Sequence, residues 1–384
     1  MKIVYATEDF PVSYTKSIFL AGPTPRSSEV KSWRPEALRL LEGNGYDGVV
    51  FVPEPRDGNW ALSYDQQVDW EDAALNQADC ILFWVPRDLK TMPAFTTNHE
   101  HGEWFKSGKV VLGAPVNAPK MPYLQHKAFQ QFEPQASTLE NTVKAALEMI
   151  GEGALRNGGE CQVPLYIWRT SSFQAWYSAQ KKAGNRLDGA KVVWTFRVGP
   201  KKEVVFFWAL HVNIYIASEN RYKNNEVVIS RPDIYTMVMY RQGRTLMDST
   251  VVLVREFRSP ATTVDGFIWE SPSGSCEQDL DPLELVAREV QEETGLKIDK
   301  SRIIIHSSRQ MPSTLSAHKA HVFFVEITEK ELDLLREQAG IAHGVVADTE
   351  RTYVEIRTIR EILESDLVDW SMLGMILSVL VSEK

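Results

Sequence analysis

Residues 274–296, GSCEQDLDPLELVAREVQEETGL, decide the fold of the second half of the chain. Asp281 suits a helix N-cap, Pro282 suits the first helical position, and Gly295 suits the end of a helix. We therefore predict a helix over about residues 281–294. Aliphatic residues at helical spacing predict its buried side: Leu283, Val286, Ala287 and Val290.

Three glutamates form a second ridge on this predicted helix. Residues three and four positions apart share a helix face, so Glu289 lies against both Glu292 and Glu293. Carboxylates crowded in this way repel one another unless cations or basic groups lie between them. Hard cations such as Mg²⁺ or Mn²⁺ prefer oxygen ligands. A solvated acidic helix face is the alternative interpretation.

The same stretch resembles the signature of the Nudix hydrolases, G-x5-E-x7-R-E-U-x-E-E-x-G-U with U aliphatic. Gly274 and residues 288–296 match the fixed positions, whereas Leu280 stands where the signature has its first glutamate. In the family that glutamate mostly braces the loop against the helix, often through the arginine matched by Arg288. Leu280 therefore affects loop rigidity and rate more than metal binding.

The resemblance implies an α/β/α sandwich and a Mg²⁺ (or Mn²⁺) cofactor. It implies three metal ligands, Glu289, Glu292 and Glu293, and it places Glu292 and Glu293 among the catalytic residues. The family's general base is often a glutamate on a late loop, and residues 342–351 offer Asp348 and Glu350 there. Glu350 is our choice, and a solvated loop acid is the alternative.

The substrate is suggested by two further stretches, residues 252–260, VLVREFRSP, and residues 269–274, WESPSG. They resemble the ADP-ribose and nucleotide-sugar pyrophosphatase branch, in which a strand ending in an arginine pair precedes an E-x-P-A-G turn. The resemblance makes Arg255 and Arg258 candidates for binding a diphosphate or a terminal ribose. Surface arginines on an edge strand are the alternative.

The bulk composition narrows the class of protein. A chain of 384 residues suggests two domains. A net charge of −9 argues against general nucleic-acid binding through a basic surface. Cys80, Cys161 and Cys276 are too scattered for a disulfide framework or a metal site. Because the sequence shows no long apolar stretch, we expect a cytoplasmic protein without a membrane partner. The family resemblance implies that it acts on small-molecule nucleotides.

The first half of the chain alternates between apolar runs and helical patterns. Strands are predicted at residues 17–22, 49–53, 80–85 and 110–113, with helices at 33–42, 67–77, 100–107 and 139–150. Continuous apolar strands separated by helices indicate an α/β fold with a parallel sheet covered on both faces. Ligands in such folds lie at the carboxyl ends of the strands. We therefore expect the loops after Leu20, Val52 and Val85 to meet at one cleft.

Residues 97–104, TNHEHGEW, followed by SGKV at 107–110, carry a second resemblance. Together with FLAGP at 19–23 and the pair Ala78-Asp79, they resemble the nucleoside 2-deoxyribosyltransferase family, which has a flavodoxin-like fold. The resemblance makes Glu100 the nucleophile that attacks C1′ of the sugar and releases the base. A carboxylate at a helix N-terminus would be held ionised by the helix dipole. Water or another base would then complete the reaction.

The chain also departs from this family's pattern. Ala94 and Thr96 stand where an aspartate and a glycine are usual, and Phe19 stands where a tyrosine is frequent. A second carboxylate falls on Glu71, our choice of proton donor, with Asp72 and Asp88 as other candidates. The alternative is that Glu100 only caps a helix, since folds outlive their chemistries.

Four residues of this half are candidates for substrate binding. Gly22 and Arg26 lie in the turn after the first strand, which could hold a 5′-hydroxyl or 5′-phosphate. Asp79 and Thr97 belong to the family motifs. An ordinary connection between a strand and a helix is the alternative for the turn.

Glycines at 151–159 indicate a boundary between a first domain, 1–152, and a Nudix domain with an N-terminal extension, 160–384. We predict a bifunctional enzyme of nucleotide metabolism. It would hydrolyse a nucleoside diphosphate-X pyrophosphate bond and break or exchange an N-glycosidic bond. Two alternatives stay open, a first domain that only senses nucleotides and an inactive Nudix fold. Both families commonly self-associate, so a homo-oligomer is expected.

Overall fold

The computed structural model describes residues 1–25, 29–58, 63–275, 280–345 and 350–382. Contacts between Cα atoms divide the chain into two compact units, Met1–Ile229 and Ser230–Lys384. Within the described ranges, no helix combines the length and the apolar character needed to cross a membrane.

The first unit contains a six-stranded sheet whose neighbouring strands are all parallel. Its spatial order is β1-β4-β3-β5-β6-β7. The elements of the unit, in chain order, are β1 (Lys2–Tyr5), β2 (Ser13–Tyr14), β3 (Ser17–Ala21), α1 (Arg34–Gly43), β4 (Val49–Val52), α2 (Tyr64–Gln77), β5 (Cys80–Trp84), α3 (Phe95–Trp104), β6 (Val110–Gly113), α4 (Pro122–Gln130), β7 (Gln135–Ala136), α5 (Leu139–Ile150), β8 (Arg156–Asn157), α6 (Leu165–Trp168), α7 (Ser171–Lys182), β9 (Arg186–Val198), β10 (Val204–Ile216) and β11 (Arg221–Ser230).

Burial on both faces explains why the central strands read as unbroken apolar runs. Every residue of β3, β4, β5 and β6 is buried. Alternate residues enter two separate cores, as in β3, where Phe19 packs with α2 residues and Leu20 packs with α1 and α5 residues. Without β1, the order of the sheet is that of a flavodoxin-like fold, with its switch point beside β3. The predicted parallel α/β architecture is confirmed.

The remainder of the first unit is an antiparallel ribbon of β9 and β10, extended by β11. Trp208 of β10 is fully buried among aromatic residues of α6 and α7, including Trp168, Phe173 and Tyr177. Residues 173–182, which carry no clear sequence signal for a helix, lie within α7. The side chain of Thr170 caps this helix by accepting from the backbone N–H of Phe173.

The second unit is an α/β/α sandwich around a mixed sheet in the order β16-β17-β12-β13-β19-β18. Strand β14 pairs with β13, and β15 pairs with β12. Its elements are β12 (Ile234–Arg241), β13 (Thr250–Phe257), β14 (Phe267–Glu270), β15 (Ser273–Ser275), α8 (Pro282–Thr294), β16 (Ile304–Gln310), β17 (Lys319–Glu326), α9 (Glu329–Glu337), β18 (Ala342–His343), β19 (Thr352–Thr358), α10 (Ile359–Glu364) and α11 (Trp370–Ser382).

Strand alternation assigns one helix layer to each face of this sheet. Met237 and Met239 pack with α8 and α9, whereas Val238 and Tyr240 pack with α10 and α11. The predicted sandwich is therefore confirmed. The signature helix begins and ends within a residue of its predicted bounds because its caps are correct: the side chain of Asp281 accepts from the N–H of Leu283, and Gly295 adopts φ +74°.

The compact units divide later in the chain than the predicted boundary at residues 152–160. The predicted extension, up to Ile229, packs with the first unit. The reason lies at its start, where Arg156 and the N–H of Leu165 both bind Asp79 at the edge of the parallel sheet. Gln162 then ties this segment to β9 by accepting from the N–H of Ala190 at 2.9 Å.

Candidate functional sites

A cavity of about 460 Å³ lies at the carboxyl ends of the strands of the first unit. The segments after β3, β4 and β5 all contribute to its wall, through Gly22, Pro53 and Pro93. The predicted cleft is therefore confirmed. Helices α2 and α3 close it with predicted site residues, Glu71, Thr97 and Glu100.

Gly22 is needed where the chain leaves β3. A Cβ atom on Gly22 would lie 2.2 Å from the carbonyl oxygen of Trp84 and 2.8 Å from the ring of Trp33. Any other residue would have to displace the backbone of Trp84 or the ring of Trp33. The backbone carbonyl of Gly22 is also engaged within the protein, because it accepts a hydrogen bond from Nη2 of Arg34 at 2.7 Å.

Arg34 contributes a positive charge to the wall of this cavity, and no sequence pattern predicted it. Its side chain is almost fully buried, binds Glu54 at 2.5 Å and donates to the carbonyl of Leu20 at 3.1 Å. These bonds fix the turn after β3. Its positive charge also lowers the pKa values of Glu71 and Glu100, against the larger effect of burial.

Glu100 and Glu71 share the cavity as a pair of carboxyl groups. Burial, and then repulsion from Glu71, raises the pKa of Glu100 to about 7. Burial also raises the pKa of Glu71, although Gln67 donates to it at 2.8 Å. Two nearby carboxyl groups that resist double ionisation favour a state with a single proton between them.

The position of Glu100 in α3 differs from the expected one. The helix begins at Phe95, five residues before Glu100, so Glu100 lies in the second turn. The helix dipole acts mainly within the first turn. The expectation that the dipole holds Glu100 ionised is therefore wrong, and burial instead favours the protonated form.

The structure also describes two further residues that the sequence analysis discussed. Ala94, in the place of the family's aspartate, is buried with φ +61°, a left-handed conformation unusual for alanine. Asp88 does not line the cavity among the described residues. Its Oδ1 accepts from the N–H groups of Lys90 and Thr91, which lowers its pKa and makes it a poor proton donor.

In the second unit, α8 presents its glutamates to the strand before it. A Cβ atom on Gly274 would lie 2.3 Å from Oε1 of Glu289, so only glycine permits this approach. Glu293 is 3% exposed, and its Oε2 has no hydrogen-bond partner among the described residues. Burial raises the pKa values of both Glu289 and Glu293.

Further carboxylates surround these glutamates. Glu350 is close enough to raise the pKa values of Glu256, Glu289 and Glu293, so the structure brings the predicted base to α8. Gly344 holds the preceding segment on the helix by donating its N–H to the carbonyl of Glu292 at 2.9 Å. Burial also raises the pKa of Glu256 to about 7.

Arg258 balances part of this negative charge. It binds both Glu256 and Glu270 at 2.8 Å. The structure therefore places Arg258, a predicted substrate-binding residue, beside the α8 carboxylates. The sequence analysis missed Glu256, although the period of two in a strand puts it on the same face as Val252, which packs with α8.

Arg255 lies on the opposite face of the sheet from α8. Its guanidinium lies over the rings of Phe267 and Tyr353, at 4.4 and 5.1 Å from their centroids, and it approaches Glu355 at 3.7 Å. The structure thus does not bring Arg255 to the carboxylates, because neighbouring residues of a strand point in opposite directions. Arg26, predicted to bind substrate in the first unit, lies outside the described residues, as does Asp348.

Two stretches of the chain match known families. Residues 15–118 match the family described as nucleoside 2-deoxyribosyltransferase like, and residues 231–347 match the NUDIX domain. The chain fuses a deoxyribosyltransferase-like domain to a NUDIX domain. The predicted resemblances to these two families are confirmed, and the ADP-ribose branch stays a prediction. No curated protein matches the chain.

The deoxyribosyltransferase-like domain does not use Asp79 as predicted. Asp79 precedes β5 and therefore lies at the edge of the sheet opposite the cavity. Its carboxylate is buried against Arg156, with bonds of 2.8 and 2.5 Å, and also accepts from the N–H of Ser17. The substrate-binding assignment is replaced by a structural one, the attachment of residues 156–165 to the sheet.

Asp79→Asn should lower the free energy of unfolding by about 3–5 kcal/mol, because it leaves the charge of Arg156 buried without its partner. Urea denaturation measures this loss. Asp47→Asn is the control, since Asp47 is 73% exposed and its pair with Lys16 should contribute under about 1 kcal/mol. Equal losses in the two variants would contradict the structural role of Asp79.

In the NUDIX domain, Leu280 stands where the family signature has a glutamate, and this difference changes the partners of Arg288. Arg288 lacks the family's glutamate as a partner and instead lies 3.5 Å from Glu289 and 3.8 Å from Glu292. These are two of the three predicted metal ligands. The arginine therefore competes with a cation for their oxygen atoms.

The fit of a divalent cation can be judged from the donor atoms. Glu289, Glu292 and Glu293 offer the carboxylate oxygens that Mg²⁺ prefers, and the unpartnered Oε2 of Glu293 is available. As they stand, however, the described side chains form no group of three that could hold a metal ion. The donors fit in chemistry and charge, provided that Glu289 and Glu292 turn from Arg288.

Leu280→Glu should restore a partner for Arg288 and release these two glutamates. We expect the Mg²⁺ concentration that gives half-maximal pyrophosphatase activity to fall by about tenfold, which corresponds to roughly 1.4 kcal/mol. Leu280 is 37% exposed, so the charged side chain can be accommodated. Leu280→Gln is the control, because glutamine has the shape of glutamate without its charge. An equal improvement in both variants would exclude the ion-pair explanation.

Proposed function

We propose that this protein is a bifunctional enzyme that cleaves an N-glycosidic bond in one domain and a pyrophosphate bond in the other. The observation that supports the first activity is the pair Glu100 and Glu71 in one cavity at the carboxyl ends of a parallel sheet. The observation that supports the second is the set of carboxylates around α8 in a NUDIX domain.

In the first site, Glu100 acts as the nucleophile. Its carboxylate attacks C1′ of the bound nucleoside, and the C1′–N bond breaks with its electron pair passing to the base. Arg34 holds the turn in which the sugar lies, through its bond to the carbonyl of Gly22. This step leaves C1′ esterified to Glu100, and the wall of the cavity limits the access of bulk water to the ester.

Glu71 supplies the proton that the leaving base needs. Burial raises the pKa of Glu71, which favours its carboxylic acid form, and Glu100 reacts as the carboxylate after its own proton has passed to solvent. A water molecule then attacks C1′, its proton returns to Glu71, and Glu100 is released. Where another base enters in place of water, the product is an exchanged nucleoside.

In the NUDIX site, the glutamates Glu289, Glu292 and Glu293 would hold Mg²⁺ or Mn²⁺. When bound, the cation would polarise the pyrophosphate and lower the pKa of water. Glu350, beside these residues, would accept the proton of the attacking water. Arg258, held by Glu256 and Glu270, would orient the diphosphate.

The two activities are consistent with one substrate. Cleavage of NAD at the nicotinamide bond gives nicotinamide and ADP-ribose, and hydrolysis of ADP-ribose gives AMP and ribose 5-phosphate. Incubation of the purified protein with NAD and Mg²⁺ tests this sequence by mass spectrometry. Release of nicotinamide with AMP supports it. Absence of both products removes it, and AMP formed from added ADP-ribose alone leaves only the NUDIX activity.

A sensing role for the first domain is the competing proposal, favoured by the buried Ala94 in the place of an acid. Glu100→Ala separates the two. Turnover that stays unchanged for nucleosides, deoxynucleotides and NAD would support sensing. Loss of base release, with ADP-ribose hydrolysis retained, would support catalysis by Glu100.

Glu71→Gln should distinguish leaving groups. Nicotinamide leaves NAD as a neutral molecule and needs no proton, whereas a purine leaves a nucleoside as an anion unless it is protonated. We expect release of a purine to slow by about 10³-fold and release of nicotinamide to slow by less than about tenfold. Rates by liquid chromatography measure both. Equal slowing of both substrates would exclude Glu71 as the acid.

A further inference from the structure

A second cavity of the first unit, of about 470 Å³, lies where β9 passes α3. It is separate from the cavity of Glu100, although Asp72 and Glu103 belong to the walls of both. Neither the predicted glycosidic chemistry nor the NUDIX site uses the remaining residues of its wall. These residues include several cations and two exposed aromatic rings, which are described below.

Arg197 of β9 is a half-buried cation of this wall. Its guanidinium lies over the ring of Tyr166 at 4.6 Å and packs so closely on the backbone that a Cβ atom on Gly108 would lie 2.1 Å from Cζ. Burial lowers its pKa, and no described carboxylate compensates for it. Its Nε is buried and has no acceptor among the described residues. A half-buried guanidinium without an anion is costly unless a ligand supplies one.

Three lysines of the wall add to this charge: Lys106, Lys191 and Lys202. None of them lies within 4.0 Å of a carboxylate oxygen in the described part of the chain. Lys202, at the turn between β9 and β10, only approaches Oε1 of Gln131 at 3.4 Å. Lys109 is not counted, because its ammonium group already donates to three carbonyl groups at the end of α2.

Strand β9 is an edge strand of its sheet, so side chains from both of its faces border the cavity, and aromatic rings lie there beside the cations. Trp194 and Phe196 are stacked, with ring centroids 6.0 Å apart and planes 25° apart. Both remain about half exposed, at 52% and 47%. An exposed pair of flat rings beside unneutralised cations suits a ligand that combines an aromatic ring with phosphate.

We propose that this cavity is a second binding site for a phosphorylated nucleotide, with the phosphate on Arg197 and Lys202 and the base on Trp194 and Phe196. The fork of Arg197 matches a phosphate through paired N–H donors. The acidic wall shared with the first cavity, Asp72 and Glu103, keeps phosphate on the side of β9. The site therefore holds its ligand without using Glu100, and it is independent of the proposed glycosidic activity.

Calorimetric titration of the full chain with AMP in EDTA tests the proposal, since EDTA removes divalent cations from the NUDIX domain. Arg197→Ala and Trp194→Ala should each weaken AMP binding by about tenfold or more. Lys202→Ala, at an exposed turn, should weaken AMP binding by several-fold. This variant replaces Arg197→Ala in the test if Arg197→Ala does not fold. Arg186→Ala is the matched control, because Arg186 lies on the same strand and is already paired with Asp188.

The outcomes separate the possible ligands. AMP binding that persists in Glu100→Gln and in Arg186→Ala, and is lost in Arg197→Ala and Trp194→Ala, supports the second site. AMP binding lost only in Glu100→Gln overturns it, whatever the fate of the glycosidic activity. Sensitivity to Arg197→Ala but not to Trp194→Ala also overturns it, since the site then binds phosphate without a base. A deoxythymidine decamer that binds about tenfold more tightly than AMP would identify a nucleic-acid surface instead.

Discussion

Glu293→Gln is expected to reduce Mg²⁺-dependent release of AMP from ADP-ribose by about 10³-fold, roughly 4 kcal/mol in the barrier. Glu293 is the most buried of the α8 glutamates, and its Oε2 has no partner among the described residues. Glutamine keeps the shape of the side chain but replaces one oxygen ligand by a donor, which a cation cannot use. The variant should also fold at least as stably as the parent, because it removes a buried charge.

Glu284→Gln is the control for this result. Glu284 lies in the first turn of the same helix, is exposed, and lies 3.5 Å from Lys300 at the surface. It should change the rate by less than about twofold, as expected of a surface pair. Activity is measured as phosphate released by added phosphatase over a range of Mg²⁺ concentrations. A Glu293→Gln enzyme that regained the parent rate at high Mg²⁺ would show that Glu293 is not an essential ligand.

The fold could be predicted from the sequence because local signals and tertiary structure agree. Asp281, Pro282 and Gly295 fix α8, and apolar runs such as residues 80–84 are read directly as strands buried on both faces. The start of α3 was missed by five residues, since Phe95 and the two threonines after it give no helix signal. Ala94, with φ +61°, is the residue that starts it, and nothing in its identity indicates that conformation.

The candidate sites were predictable only where a residue's role follows from a motif. The α8 glutamates and Glu100 follow from their motifs, but Asp79 shows the limit: its motif position is retained while its carboxylate is bonded to Arg156. That partner lies 77 positions away along the chain, and no sequence pattern connects the two. Arg34 escaped notice for the same reason, because its bonds to the turn after β3 depend on the fold.

The second large effect is expected at Glu100. Glu100→Gln should lower release of nicotinamide from NAD by about 10³-fold or more, while ADP-ribose hydrolysis in the other domain continues unchanged. Glutamine removes the nucleophile and retains the volume of the side chain. Gly102→Ala, at an exposed position of α3 that is not among the lining residues of the cavity, is the control, and it should keep most of the activity because a Cβ atom there meets nothing within 4 Å. Equal losses in both variants would point to damage of the helix.

The pH dependence of the parent enzyme provides the sharper test. Attack requires the carboxylate of Glu100, so kcat/KM for nicotinamide release should rise with pH through the pKa of about 7. Glu71 contributes to that raised pKa by repulsion, and its replacement by glutamine should therefore move the rise to lower pH. The same pKa has a consequence for stability. Below pH 4.5, the ordinary pKa, Glu100 is protonated in both the folded and the unfolded chain and does not affect stability. The free energy of unfolding falls as pH rises through about 7, so Glu100→Gln should be the more stable protein above that pH. A rise in kcat/KM centred near 4.5 would mean that water reaches Glu100 freely, and the cavity would then lack the low-dielectric wall on which its chemistry depends.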